Sequence, residues 1–188
     1  MSELNIRLNP MQMKFVNCNE SRSVYSGGVG SGKTFAGALW SVLMTQTYPD
    51  CVGIITASSI KQLNRATLPE FFKILDMMHI PYQHKVNAAE VIVNNRTRVI
   101  LFSAENYDDI RGPNAGWAWA DECAFYNEQA YHNTCARLRD QRGPCQWKGT
   151  TTTNGFNWLY RTFVENPISS SAIFKASTKD NMANLGGK

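Results

Sequence analysis

The sequence predicts an α/β fold in which helices flank a mainly parallel β-sheet. Short runs of β-branched residues alternate along the chain with longer segments of helical periodicity, and this order is typical of parallel sheets. The chain has 188 residues, of which 43% are hydrophobic and 18% are charged. This length and composition are those of one globular domain with a core of its own.

The first half of the chain contains clear helix signals around two predicted strands. Asn9 followed by Pro10 predicts a helix start, because Asn caps helices and Pro is tolerated at the first helical position. Ser58 or Ser59 can cap a later helix that Pro69 interrupts or restarts. The strands and helices predicted after the first helix are, in order, a strand at 24–26, a helix at 33–47, a strand at 52–57 and a helix ending near 78.

The second half reads as a hairpin followed by further alternating elements. The segments 91–93 and 99–102 flank a turn-forming Asn94-Asn95 pair, which predicts a hairpin or a strand preceded by a short edge strand. A Gly143-Pro144 pair stops the next helical pattern. The remaining predictions are a strand at 117–120, a helix at 127–142, a strand at 146–153, a helix at 156–164 and a strand at 172–176.

The composition argues against a membrane protein, a secreted protein and a zinc protein. The longest uncharged runs are about 15 residues and contain Ser, Thr and Gln, which is too short and too polar to span a bilayer. The first nine residues lack the pattern of a secretory signal, so we expect a cytosolic protein. The five cysteines contain no C-x-x-C pair, and the three histidines lie far apart in sequence.

The net charge of +4 is distributed unevenly. The window 132–162 contains five basic residues and one acidic residue, whereas the window 105–128 contains six acidic residues and one basic residue. An acidic segment followed by a basic one suggests a metal and phosphate site beside a surface for a polyanion. A solvated surface is the alternative explanation.

A phosphate-binding loop is the strongest signal in the sequence. It matches G-x-x-x-x-G-K-[ST] and lies between a predicted strand and a predicted helix. Its glycines allow backbone N–H groups to surround phosphate oxygens, Lys33 neutralises the outer phosphates, and Thr34 offers a hydroxyl to Mg²⁺. The candidate nucleotide-binding residues of the loop are Gly27, Gly28, Val29, Gly30, Ser31, Gly32, Lys33 and Thr34.

Two adjacent carboxylates end the apolar strand at 117–120. Hydrolysis of a nucleoside triphosphate needs a carboxylate near Mg²⁺ and a second one that orients and deprotonates water. We assign the metal to Asp121 and the water to Glu122, since alternation along a strand points neighbouring side chains in different directions. A glutamate directly after the metal-binding aspartate favours hydrolysis over phosphoryl transfer.

Two further segments contain candidate phosphate contacts. Arg111 ends an acidic loop before the Asp-Glu pair and is a candidate catalytic arginine, because guanidinium stabilises charge on a transferring phosphoryl group. A loop arginine paired with Asp108 or Asp109 is an equally good explanation. The Thr and Asn side chains at 150–154 follow a predicted strand, so that Thr152 and Asn154 can sense the outer phosphate.

The order of these motifs resembles the ATPase half of the large terminase subunit of tailed bacteriophages, which pumps DNA into empty capsids. The resemblance extends from about Leu8 to Asn181. The segments that carry it are 9–12, the phosphate-binding loop at 27–34, 111–112, 117–122, 150–155 and 177–181.

The resemblance implies a Mg²⁺-dependent ATPase of the RecA-like P-loop class, in which Gln12 reads the adenine. It makes the segment 150–154 a motif that couples hydrolysis to movement. It also places Arg111 where some members have a finger acting on a neighbouring subunit, with Arg65 and Arg139 as rivals. The implied partners are double-stranded DNA, a homo-oligomeric ring, a portal protein and a small terminase subunit, in the cytoplasm of an infected bacterium and transiently at the procapsid portal.

Members of this family normally continue into a nuclease, whereas this chain stops near the expected linker. We therefore expect an ATPase domain at 1–180, a linker or truncated tail at 181–188, and no DNA cleavage by this chain alone. Arg137, Arg139 and Arg142 are candidate DNA contacts through phosphates. Two alternatives stay open. One is a helicase-like or recombinase-like ATPase that acts on nucleic acid, and the other is a slow nucleotide-binding switch or assembly module.

Overall fold

An eight-stranded sheet forms the centre of the molecule in a computed structural model that describes residues 6–109, 114–152 and 154–184. The strands are β1 (Arg22–Gly27), β2 (Gly53–Ala57), β3 (Tyr82–Lys85), β4 (Glu90–Val93), β5 (Thr97–Ser103), β6 (Trp117–Asp121), β7 (Gln146–Thr151) and β8 (Ser171–Ala176). Their order across the sheet is β3-β4-β5-β2-β6-β7-β1-β8. The six strands from β5 to β8 in this order pair in parallel, and β3 and β4 add an antiparallel edge. The predicted mainly parallel sheet is therefore confirmed.

Helices cover both faces of this sheet. They are α1 (Pro10–Val16), α2 (Lys33–Thr47), α3 (Ile60–Gln62), α4 (Leu68–Met77), α5 (Glu128–Arg137) and α6 (Trp158–Tyr160). A π-helical turn at Leu63–Thr67 joins α3 to α4, and a second one at Arg161–Glu165 follows α6. Short 3-10 turns lie at Val86–Ala88, Ala104–Asp109, Cys123–Phe125 and Thr178–Asn184. No helix within the described ranges has both the length and the apolar character needed to cross a membrane.

A shortened helix and an additional strand are the main differences from the sequence prediction. The helix predicted at 127–142 ends at Arg137, because the following backbone turns away to bond with the segment before β6. There, Ala115 N–H donates to the Arg137 carbonyl at 2.8 Å, and Asp140 N–H donates to the Ala115 carbonyl at 3.1 Å. Strand β3 was not predicted, since its sequence Tyr-Gln-His-Lys has no apolar alternation and it pairs at an edge of the sheet.

The core consists of two apolar layers, one on each face of the sheet. Trp117 and Trp119 are fully buried under α2, and Trp117 packs edge-on against Trp40 at 5.9 Å between ring centroids. Trp147 faces the opposite layer, where it packs edge-on against Tyr131 of α5 at 5.0 Å. The tryptophans of β6 thus act as core residues and hold α2 in place directly after the phosphate-binding loop.

Candidate nucleotide-binding site

Three of the predicted site segments meet at the edge of the sheet where the parallel strands end, which we call the nucleotide edge. The phosphate-binding loop follows β1, the two carboxylates end β6, and the threonine run ends β7. These three strands are parallel neighbours in the order β6-β7-β1, with Asp121 opposite Thr150 and Ser26 opposite Thr151. Ligands of open parallel sheets bind at the carboxyl ends of the strands, which is where these segments lie.

Glycine conformations shape the phosphate-binding loop. Gly30 and Gly32 both have φ near +76°, a region that glycine adopts at little cost. A Cβ atom on Gly27 would lie 2.3 Å from the Ser31 Oγ. Gly32 is the N-cap of α2. Lys33 and Thr34 therefore lie in the first turn of this helix, at the positive end of its dipole.

Asp121 is buried beneath the loop and hydrogen-bonded by threonine hydroxyls. The Thr150 hydroxyl donates to Oδ1 and the Thr67 hydroxyl to Oδ2, each at 2.8 Å, while the Thr34 hydroxyl lies 3.4 Å from Oδ1. The Trp119 indole N–H in turn donates to Thr150 at 2.8 Å. Burial raises the pKa of Asp121 to about 6, although the hydrogen bonds from Thr150 and Thr67 act in the opposite direction. The carboxylate is thus oriented by fixed donors at a point where Thr34 also presents its oxygen.

Glu122 leaves the strand in a left-handed backbone conformation, with φ 53° and ψ 40°. Its Oε1 lies 3.3 Å from Lys33 Nζ, and its Oε2 accepts hydrogen bonds from the backbone N–H and the hydroxyl of Thr152, both at 3.3 Å. A non-glycine residue in this region is uncommon and often marks a functional position. The backbone turn places this carboxylate beside the loop lysine instead of in the core.

A cavity of about 510 Å³ adjoins the loop. Its walls come from α1 and the segment before it, the loop, α2, α4 and the turn at Thr178–Asn184, and include Arg7, Gln12, Lys33, Phe35, Glu70, Lys73 and Asn181. Gln12 is 2% exposed and already bonded twice. Its Oε1 accepts from the Asn9 N–H at 2.9 Å, and its Nε2 donates to the Gly32 carbonyl at 3.0 Å, so these two bonds use one of its two amide hydrogens.

The other predicted site residues lie in different places. Thr152 is half-buried against Glu122, and Asn154 is exposed on the loop that follows it. Arg111 lies outside the described residues. Arg65 is exposed on the π-helical turn two residues before Thr67, at the same edge as Asp121.

The three candidate DNA contacts lie at the opposite edge of the sheet. Arg137 ends α5, and Arg139 and Arg142 line a groove beside Val52, directly before β2. Arg142 is bound by both its Nε and a terminal nitrogen to Asp140, at 2.9 and 2.7 Å, and this pairing holds the pKa of Asp140 below its usual range. Arg139 lies beside the residue before β2, at the opposite end of the parallel strands from the phosphate-binding loop.

The basic window 132–162 contains one lysine that does not face solvent. Lys148 is fully buried on β7 and donates to the backbone carbonyls of Phe15, Val16 and Cys18. It therefore contributes nothing to an exposed basic surface.

Three side chains of the site were not identified from sequence. Thr67 reaches Asp121 from a helix 54 positions earlier, and nothing in its local sequence marks it. Thr178 and Asn181 contact the loop from the far end of the chain, with Thr178 Oγ1 2.7 Å from the Val29 carbonyl oxygen and Asn181 Nδ2 2.8 Å from that of Gly30. Their segment was noted as a motif but received no role.

Comparisons with known proteins agree with this geometry. A family model described as terminase large subunit, T4likevirus-type, N-terminal, matches residues 24–184. No curated protein matches the chain. The large terminase from a thermophilic bacteriophage superposes with a TM-score of 0.83 at 13% identity, over 95% of this chain and 48% of that one. The same terminase in complex with ATP-gamma-S gives a TM-score of 0.81 at 13% identity, over 94% and 46%.

A third structure, the large terminase ATPase domain of Thermus phage P74-26, gives a TM-score of 0.75 at 15% identity, over 97% of this chain and 87% of that one. At these identities the superpositions show a shared fold. The chain spans about half the length of the terminase from the thermophilic bacteriophage.

Proposed function

The chain belongs to the family of T4-like phage large terminase subunits, as a match to their N-terminal region, and from this premise we propose that it hydrolyses ATP to drive double-stranded DNA into a viral capsid. The observation that carries the proposal is the separation of the two carboxylates at the carboxyl edge of the sheet. Asp121 is buried among threonine hydroxyls, while Glu122 is turned toward Lys33. This arrangement provides one acidic group for a metal and another for water.

The residues present fit Mg²⁺ and a nucleoside triphosphate. The Asp121 carboxylate and the Thr34 hydroxyl, 3.4 Å apart, are the hard oxygen ligands that Mg²⁺ prefers. When bound, Mg²⁺ supplies positive charge that offsets the charge developing on the phosphates. The loop supplies backbone N–H groups and the start of α2 for the phosphate oxygens.

Glu122 acts in this proposal as the base that orients water and takes its proton. Its carboxylate is held by Thr152 and by Lys33, the same lysine that would face the outer phosphates. Binding of a triphosphate would draw Lys33 toward the phosphates, which frees one carboxylate oxygen for water. Thr152 directly follows β7 and is hydrogen-bonded to Glu122, so a movement of Glu122 can shift this strand. In this way the threonine segment can couple hydrolysis to movement.

In this proposal Arg111 stabilises the charge that develops on the phosphates in a neighbouring subunit, with Arg65 and Arg139 as alternatives. Support for Arg65 is its exposed position at the nucleotide edge. In the proposed assembly, a homo-oligomeric ring works with a portal protein and a small terminase subunit in the cytoplasm of the infected host. Arg137, Arg139 and Arg142 are proposed to contact DNA phosphates in a salt-sensitive way.

The decisive experiment is phosphate release from Mg-ATP per subunit over a range of protein concentrations, with and without double-stranded DNA. We expect a specific rate that rises with protein concentration or with DNA, and no turnover by Lys33→Ala. A flat, negligible rate despite ATP binding would contradict the motor and favour the slow nucleotide-binding switch. Stimulation by single-stranded nucleic acid instead of duplex DNA would favour the helicase-like alternative.

A further inference from the structure

The 3-10 turn Thr178–Asn184 lies against the phosphate-binding loop. Its position follows from the sheet, because β8 pairs in parallel with β1 and places Ala176 opposite Gly27. The residues that follow the two strands therefore leave the sheet side by side. The loop and the turn meet although about 150 positions separate them in sequence.

The carbonyl groups of four consecutive loop residues each accept a hydrogen bond from a side chain outside the loop. The pairs are Val29 with Thr178 at 2.7 Å, Gly30 with Asn181 at 2.8 Å, Ser31 with Tyr25 at 3.3 Å and Gly32 with Gln12 at 3.0 Å. The donors come from three separate elements: β1, α1 and the C-terminal turn. The carbonyls of the loop are thus fixed residue by residue.

Fixing these carbonyls also fixes the N–H groups. In a trans peptide the C=O of one residue and the N–H of the next point in opposite directions, and the described peptide bonds are trans. Because Thr178 and Asn181 hold the carbonyls of Val29 and Gly30, the N–H groups of Gly30 and Ser31 point away from these donors. The Ser31 N–H closes the turn onto the Gly28 carbonyl at 3.2 Å, whereas the Gly30 N–H points away from the Val29 carbonyl and its partner Thr178.

The C-terminal turn is itself held in shape. The Asp180 carboxylate accepts hydrogen bonds from the backbone N–H and the hydroxyl of Ser177, at 2.6 and 3.0 Å. Asn181 is 6% exposed, so its amide is shielded from competing water. A glycine-rich loop loses much conformational entropy when it is ordered, and donors already in place reduce what a ligand must supply.

We propose that Thr178 and Asn181 are positioning residues of the nucleotide site, which hold the phosphate-binding loop in its phosphate-receiving shape through the carbonyls of Val29 and Gly30. This inference rests on the proposed function, because it assigns a role at the same site. The turn acts on phosphate affinity, and it leaves proton transfer by Glu122 unchanged.

The test uses Thr178→Val and Asn181→Leu in the full chain, singly and together, since each replacement keeps the size of the side chain and removes its donor. Thr178→Ser restores the hydroxyl, and Thr47→Val is a matched control at an exposed position at the end of α2. Binding of Mg-ATP and of inorganic tripolyphosphate is titrated, KM and kcat of hydrolysis are measured, and thermal unfolding without nucleotide is recorded.

We expect each single variant to weaken binding of both probes by about two- to tenfold, the range that corresponds to one hydrogen bond. KM should rise while kcat and the unfolding temperature stay near those of the original chain, and Thr178→Ser should bind like the original. Unchanged affinity in the double variant, or a loss of kcat with KM unchanged, overturns the positioning role while the ATP site stands. If the original chain binds neither probe, the proposed function fails and this inference fails with it.

Discussion

At the scale of single residues, the two adjacent acids differ because the backbone changes conformation between them. Asp121 is the last residue of β6 and points into the buried layer, whereas Glu122 is left-handed and reaches Lys33. A left-handed conformation costs a non-glycine residue roughly 1–2 kcal/mol. The ion pair with Lys33 and the hydrogen bonds from Thr152 offset this cost.

Glu122→Gln tests the role of the second acid. The amide keeps the size and the acceptor oxygen of the carboxylate but cannot take a proton, so we expect ATP binding to persist and kcat to fall by about 10²–10⁴-fold. Titration of Mg-ATP and steady-state phosphate release measure the two quantities separately. Retained hydrolysis would remove Glu122 from the role of base.

Thr67→Val tests the support of the buried carboxylate. Valine matches the shape of threonine and leaves Asp121 Oδ2 without its 2.8 Å donor. A hydrogen bond to a charged group contributes about 1.5–3 kcal/mol, so we expect a loss of unfolding free energy of that order. We also expect a severalfold rise in the Mg²⁺ concentration that gives half-maximal ATP hydrolysis. Thr67→Ser is the control. Equal Mg²⁺ dependence in all three proteins would show that Thr67 contributes to stability and not to metal binding.

At the scale of elements, Lys148 connects β7 to α1. Its ammonium group donates to the last two carbonyls of α1 and to that of Cys18 just after it, and lies 5.0 Å from the centroid of Phe15 and 5.1 Å from that of Trp40. The same strand carries Thr150 and ends beside Thr152, while α1 carries Gln12. The lysine thus ties the strand that contacts both carboxylates to the helix that contacts the loop.

Lys148→Met is predicted to change both stability and its pH dependence. Removal of the donor leaves carbonyls unsatisfied, so we expect a loss of about 1–3 kcal/mol near neutral pH. Burial lowers the pKa of Lys148 to about 8 from 10.5. Between these pH values the unfolded chain binds more protons than the folded one, so the contribution of Lys148 to stability rises with pH, by at most about 1.4 kcal/mol per unit.

Urea unfolding of both proteins near pH 7.5 and near pH 9.5 measures this difference. The comparison cancels the cysteines and tyrosines that titrate in the same range, because both proteins contain them. The stability gap between the original chain and the variant should widen at the higher pH. A gap that is constant with pH would show that Lys148 keeps its proton throughout.

At the scale of the whole molecule, the sheet separates two surfaces. The nucleotide edge contains the loop, the carboxylates and Arg65, and the opposite edge contains Arg137, Arg139 and Arg142. Arg139 therefore lies away from the nucleotide site of its own chain. An arginine from a neighbouring subunit would couple one active site to the next.

Mixing experiments test this coupling. Arg111→Ala subunits have an intact base, and Glu122→Gln subunits have an intact arginine. If the arginine acts on a neighbour, a mixture of the two inactive proteins should recover part of the hydrolysis rate, and recovery should depend on the mixing ratio. The same mixtures made with Arg65→Ala and Arg139→Ala distinguish the rivals. No recovery with any of the three would indicate that the arginine acts within its own subunit.

The sequence by itself determined the α/β class, the position of the phosphate-binding loop and the carboxylates that accompany it. These features depend on local patterns: glycines that permit unusual backbone angles, the 3.6 and 2.0 periodicities, and an apolar strand that ends in two acids. The early end of α5 and the edge strand β3 were missed, because tertiary hydrogen bonds to Ala115 and to β4 decide them.

The tertiary structure alone decided which distant side chains complete and support the site. Thr67, Thr178 and Asn181 complete it and Lys148 supports it, across 54 to 151 positions of sequence, through hydrogen bonds that leave no periodic signal. Strand order also determined that the basic residues after α5 lie away from the nucleotide edge. Local sequence fixes the conformation of a segment, whereas the partner of a buried polar group depends on which segments the sheet places side by side.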